Sequence, residues 1–165
     1  MLELMLRPCV GMQQIVATPY VVALGLVDAL PGVRIAWPFG LQDLQTGERV
    51  GGVSAHAGYD EEGMFVRMAI EAPVEDDGVE QAVRTRVAAW ASALSDRPRL
   101  APLAPVLSDY ADALAKLGQA VCVVYPNGKP YALGVFVGID VWGRATVRLA
   151  DGAEIDFPPE RFCIE

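Results

Sequence analysis

Few residues in this chain are placed by type and spacing to do chemistry. His56 is the only histidine, and it lies in an alternating stretch with no carboxylate or nucleophile at a useful spacing. It reads as a surface or edge histidine rather than a base. Asp60-Glu61-Glu62 and Glu75-Asp76-Asp77 are acidic runs at turn positions, better suited to a solvated loop and a helix cap than to a catalytic carboxylate pair. Arg84, Arg86, Arg97 and Arg99 could form an anion patch, but their spacing fits surface charge on a helix and its following linker. Pro126-Asn127-Gly128-Lys129 is turn chemistry first. Cys9, Cys122 and Cys163 are odd in number, far apart and without C-x-x-C spacing, which points to reduced thiols and against a metal site. Two pairs remain: Trp37-Pro38 and Gly51-Gly52, with Arg49 just before the second. A glycine pair within a strand serves either a bulge and close strand packing or the approach of a ligand, for the same steric reason.

The composition frames these candidates. The 165 residues are 53% apolar and 21% charged, a core-rich globular composition. The net charge of −8 argues against nonspecific binding to phosphate backbones, so no nucleic-acid partner is expected. No secretory leader is legible, and the longest apolar stretch, Tyr20 to Val27, is too short to span a bilayer. A cytoplasmic protein without a membrane partner is the expectation.

The elements that must position these residues follow from periodicity and punctuation. Leu2 to Leu6 reads as a strand. Thr18 is expected to cap a helix over Pro19–Leu30 that is apolar almost all round and therefore buried. Val33 to Trp37, Leu41 to Leu44, Val50 to Ala57 and Met64 to Ile70 read as the strands of an antiparallel meander. Asp77-Gly78-Val79-Glu80 has capping-box spacing before a helical stripe, Val79, Val83, Val87, Trp90 and Leu94. A second stripe runs Leu103, Leu107, Tyr110, Leu114, Leu117 and stops at Gly118. After Gln119 come short strands, Val121 to Tyr125, Tyr131 to Ile139, Ala145 to Leu149 and Glu154 to Phe157, with tight turns between them. The reading is α+β: an antiparallel or mixed sheet packed with helices over 1–118, followed by a small β-barrel over 119–165.

Two stretches resemble the biotin protein ligase and lipoate ligase superfamily. Val33-Arg34-Ile35-Ala36-Trp37-Pro38, a hairpin and then Arg49-Val50-Gly51-Gly52-Val53 are similar to that family's K-W-P-N-D motif, hairpin and K-x-x-G-[IV] strand. Gly134, Gly138-Ile139-Asp140 and Gly143 are similar to the G-x-x-x-G-I-D-x-x-G pattern of its SH3-like C-terminal barrel. The resemblance implies a partial ligase-like core and an SH3-like barrel. It also implies a vestigial biotin or adenylate pocket at Trp37, Arg49, Gly51 and Gly52.

The departures from the family pattern fall on the chemistry. No G-R-G loop occurs in the chain, and it begins after the point where that loop and the first catalytic strands would lie. Ala36 stands for the motif lysine, Phe39 and Gly40 for its Asn and Asp, Arg49 for the lysine of K-x-x-G, and Glu71 for an Asn. A guanidinium does not replace a compact ammonium in a tight pocket without rearrangement. Adenylation by this chain alone is therefore not expected, and no catalytic residue, metal or bound cofactor is assigned. The expectation is a non-catalytic binding or assembly module. The resemblance implies a homodimer with a continuous sheet, paired through the edge of the strand matching Val50 to Ala57. Apolar surface left bare on the buried helix would also need a cover, supplied by self-association or by a partner chain. The alternative is one half of a split ligase, active only with a partner chain carrying the G-R-G loop. A small-molecule ligand remains open in either case.

Overall fold

The computed structural model describes residues 1–74 and 76–165. Two five-stranded antiparallel sheets share one continuous hydrophobic cluster with three helices. The first sheet holds β1 (Leu2–Leu6), β2 (Val33–Ala36), β3 (Gly40–Asp43), β4 (Arg49–Asp60) and β5 (Gly63–Glu71) in the order β1-β5-β4-β3-β2. Inward-facing Leu4, Leu6, Val66, Met68 and Ile70 are buried, as period-two alternation requires.

Helix α1 (Thr18–Ala29) packs beneath this sheet, and every residue from Thr18 to Leu26 is buried. The chain covers this helix itself, so the expected bare apolar surface is not found among the described residues. Most of the cover comes from α2 (Asp77–Leu94), which seats Val79, Val83, Val87, Trp90 and Leu94 in the core as the spacing predicts. The two helices meet at Gly25, where an added Cβ would stand 2.8 Å from the Val83 Cα. Only a residue without a side chain allows that approach.

Both expected helix caps shift. Thr18 does not accept at an N-cap; its hydroxyl donates to the Ile15 carbonyl (2.7 Å), because a 3-10 turn over Ile15–Ala17 leads directly into the helix. The cap of α2 is Asp76, which accepts from the Val79 amide at 3.0 Å, one residue before the expected Asp77. Glu75, beside it, lies outside the described residues. The second stripe forms only a short helix, α3 (Leu107–Ala113). Leu114 leaves it in extended geometry to bridge Ile35, and Leu103 lies in the preceding turn with its amide donating to the Val141 carbonyl (3.0 Å).

The second sheet contains β6 (Ala120–Val124), β7 (Pro130–Ile139), β8 (Ala145–Arg148), β9 (Glu154–Phe157) and β10 (Cys163–Ile164), ordered β10-β6-β7-β8-β9. Among the described residues the expected barrel is not closed, because β9 and β10 do not pair. Pro158 and Pro159 follow β9 directly and supply no amide to extend a ladder, and β10 is only two residues long. Phe157, Phe162, Tyr125 and Tyr131 pack at this end, with ring centroids 5.0–5.8 Å apart.

No helix among the described residues is long and apolar enough to cross a membrane.

Candidate functional site

The β2–β3 hairpin of the first sheet faces the strand ends of the second sheet. A cleft of about 570 Å³ opens there. Trp37 and Arg49 both line it, while Gly51 and Gly52 do not. Arg49 and Gly52 also line a separate recess of about 140 Å³ with Ser54 and Glu71, so Arg49 stands at the divide between the two spaces.

Trp37 is 3% exposed, and its indole Nε1 donates to the Gly143 carbonyl at 2.9 Å. The same carbonyl accepts from the Tyr20 hydroxyl at 3.0 Å. Gly143 lies in the turn between β7 and β8, so one oxygen joins the W-P segment, the buried helix and the second sheet. The Trp37–Pro38 peptide is cis, and the Pro38 carbonyl accepts from the buried Tyr110 hydroxyl. Burial pushes both the Tyr20 and Tyr110 hydroxyls well above the ordinary tyrosine range; for Tyr20 the carboxylates of Glu160 and Asp140 add to this.

Arg49 lies on a platform of missing side chains. Gly40 and Gly52 are a cross-strand pair. A Cβ on Gly52 would stand 3.0 Å from the Arg49 Nη2, and one on Gly40 3.8 Å from its Cζ. The Arg49 Nε donates to the Gly51 carbonyl at 3.2 Å. Gly51 has its own reason to be glycine: a Cβ there would lie 2.1 Å from the Glu71 carbonyl oxygen. Packing within the sheet thus accounts for both residues of the Gly51-Gly52 pair. Glu71, opposite Gly52, is exposed. Across the cleft, burial pushes the Cys163 thiol up; Arg49 opposes this and Glu165 adds to it.

The other sequence candidates scatter. His56 is exposed on β4, opposite Arg67. Asp60 and Glu62 hold Arg7. Arg84 pairs with Glu80, and Arg86 joins Asp28 and Asp109, so neither belongs to an anion patch. Lys116, Tyr125 and Glu165 line the cleft and carried no sequence signal, because they reach it only through the placement of the second sheet.

No protein-family profile and no curated protein matches the chain. Solved structures do. Biotin protein ligase from Aquifex aeolicus superposes with a TM-score of 0.68 at 14% identity, over 99% of this chain and 80% of the ligase. The chain has a biotin protein ligase-like fold. The apo form of the Aquifex enzyme agrees, with a TM-score of 0.67 at 15% identity, again covering 99% of this chain and 80% of the ligase. A biotin protein ligase-like protein of unknown function from Silicibacter gives a TM-score of 0.62 at 16% identity, over 94% of this chain and 76% of that one. The biotin ligase-like fold is therefore present together with Phe39, Gly40 and Arg49 where the resemblance leads one to look for Asn, Asp and Lys.

Proposed function

We propose that the chain is a non-catalytic, biotin ligase-like binding or assembly module that pairs with a second copy through the free edge of β4. One observation carries this reading. Strand β3 pairs with β4 only from Arg49 to Gly52, whereas β5 continues along it to Asp60. Among the described residues, Ser54 to Asp60 therefore presents one row of backbone donors and acceptors without a strand partner. Edge strands are ordinarily blunted by lysine, proline, a bulge or a covering segment. The stretch Ser54-Ala55-His56-Ala57-Gly58-Tyr59 has no lysine, arginine or proline, and its side chains are mostly small. A two-fold antiparallel pairing of this edge would make a continuous sheet across two copies.

The non-catalytic part rests on the residues at the W-P hairpin. Phe39 and Gly40 offer no carboxylate, and the guanidinium of Arg49 rests on the Gly40–Gly52 pair. Trp37, Arg49, Gly51 and Gly52 are on this reading a vestigial pocket.

Analytical ultracentrifugation tests the assembly. The expected result is a dimer that becomes monomeric in Ala57→Lys with no loss of thermal stability, since Ala57 is exposed. A wild-type chain that stays monomeric at high concentration refutes self-pairing. If that monomer instead forms a stable complex with a small chain bearing a G-R-G loop, the split-ligase alternative takes its place.

A further inference from the structure

We propose that a small aromatic recess, where the start of α1 meets the β7–β8 turn, binds a fully substituted ammonium head group. Tyr20, Phe39 and Trp142 would enclose the cation, and Glu160 would balance its charge. The recess is separate from the self-pairing edge, since none of Ser54 to Asp60 lines it.

The lining is assembled from distant parts of the chain. Tyr20 stands in the first turn of α1, Phe39 between β2 and β3, Trp142 between β7 and β8, and Glu160 after β9; Val16 and Pro159 complete it. The volume is about 100 Å³, room for about three waters at roughly 30 Å³ each or for one small ammonium group. The Tyr20 and Phe39 rings meet almost at right angles, at 84° with centroids 4.7 Å apart. Trp142 adds a third ring that is 48% exposed, whereas Trp37 and Trp90 are buried. Aromatic rings gathered around so small a space attract a cation through their quadrupoles, tryptophan most strongly.

The charges agree with a cation. No lysine or arginine lines the recess. Asp140 is held by Arg144 at 2.6 Å, but among the described residues Glu160 forms no ion pair. Burial first, and then the carboxylates of Glu160 and Asp140, hold the proton on Tyr20, so its ring sits in a negative field. The start of α1 does not cancel that field with free donors, because the Ala17 and Thr18 amides donate to the Gln14 and Ile15 carbonyls.

The same lining selects the kind of ammonium. A primary ammonium carries three donors. The recess offers them one carboxylate, and the nearby Gly143 carbonyl is already shared by the Tyr20 hydroxyl and the Trp37 indole. Unmatched donors are costly to bury. A nitrogen bonded only to carbon has none to match.

Titration of the full chain tests the site, read by tryptophan fluorescence, calorimetry and amide chemical shifts. The probes are tetramethylammonium, choline, ethanolamine and dimethylbutanol, the uncharged carbon isostere of choline. Choline and tetramethylammonium should bind saturably and move the amides of Trp142 and Glu160. Dimethylbutanol and ethanolamine should each bind at least about tenfold more weakly than choline. By calorimetry, Trp142→Leu should weaken choline about tenfold and Trp142→Phe should restore most of that. Glu160→Gln should weaken choline about fivefold and leave the isostere unaffected. Both side chains reach solvent, so the unliganded thermal midpoint should be unchanged in all three variants. The site is refuted if choline fails to saturate, if either control binds as tightly as choline, or if Trp142→Leu binds like wild type.

Discussion

Gly143→Ala should be among the most damaging single-methyl additions to this chain, and Gly152→Ala shows why. Both glycines have left-handed backbone, with φ of +86° and +84°. An alanine Cβ in that region costs about 1–2 kcal/mol. At Gly152 nothing lies within 4 Å of the added carbon, so strain is the whole cost. At Gly143 the carbon would stand 2.3 Å from both the Cζ and the hydroxyl oxygen of Tyr20, a ring that is 3% exposed. The ring must move within a packed core, at about 1–3 kcal/mol. Moving it breaks the Tyr20 hydrogen bond to Gly143 and disturbs that of Trp37, at about 1 kcal/mol each. Gly143→Ala should therefore cost about 3–5 kcal/mol more than Gly152→Ala. In a chain of this size the gap corresponds to a difference of about 6–20 °C in thermal midpoint. Urea unfolding followed by circular dichroism measures both variants. Equal destabilisation of the two would show that Tyr20 yields freely and that the shared carbonyl does not hold the sheets together.

Two further outcomes test the packing and the buried hydroxyls. Gly25→Ala should destabilise by about 1–3 kcal/mol, because its Cβ meets backbone of α2 that cannot rotate away; an unchanged urea midpoint would mean that the helices separate without cost. Tyr20 and Tyr110 hold their protons more tightly folded than unfolded, so their contribution is complete below the unfolded value of about 10 and is lost as pH rises above it. Stability should fall above about pH 10, and phenolate absorbance of the folded chain should stay below that of its five tyrosines until unfolding. Full ionisation while the fold persists would contradict the burial of these two rings.

What the sequence revealed was local. Helix α1 was legible because an unbroken apolar run from Tyr20 to Leu26 has no face to give to water. The meander was legible from alternation and turn residues such as Gly47, which has φ of +71°. Strand β10 was not, since two residues carry no period. The closed barrel was over-read, because short strands look the same whether or not the last pair meets. The site was legible only in part. Trp37 and Arg49 stood out, but the partner of Trp37 is 106 residues away. Gly143 stood out only as one glycine of the barrel-like pattern, and nothing near it in sequence announces Tyr20. Gly40 read as a missing carboxylate; its relation to Arg49 appears only with the register that sets it opposite Gly52.

That relation implies a rule of exchange between positions. The guanidinium of Arg49 rests where side chains at residues 40 and 52 would project, so its bulk and theirs compete for one volume. The aspartate-to-glycine and lysine-to-arginine departures implied by the family pattern then form a single compensated change rather than two separate losses. Reverting either one alone should be less well tolerated than reverting both. Among relatives of this chain, an arginine at position 49 should travel with glycine at position 40, and a side chain should return there only where 49 is a slimmer residue.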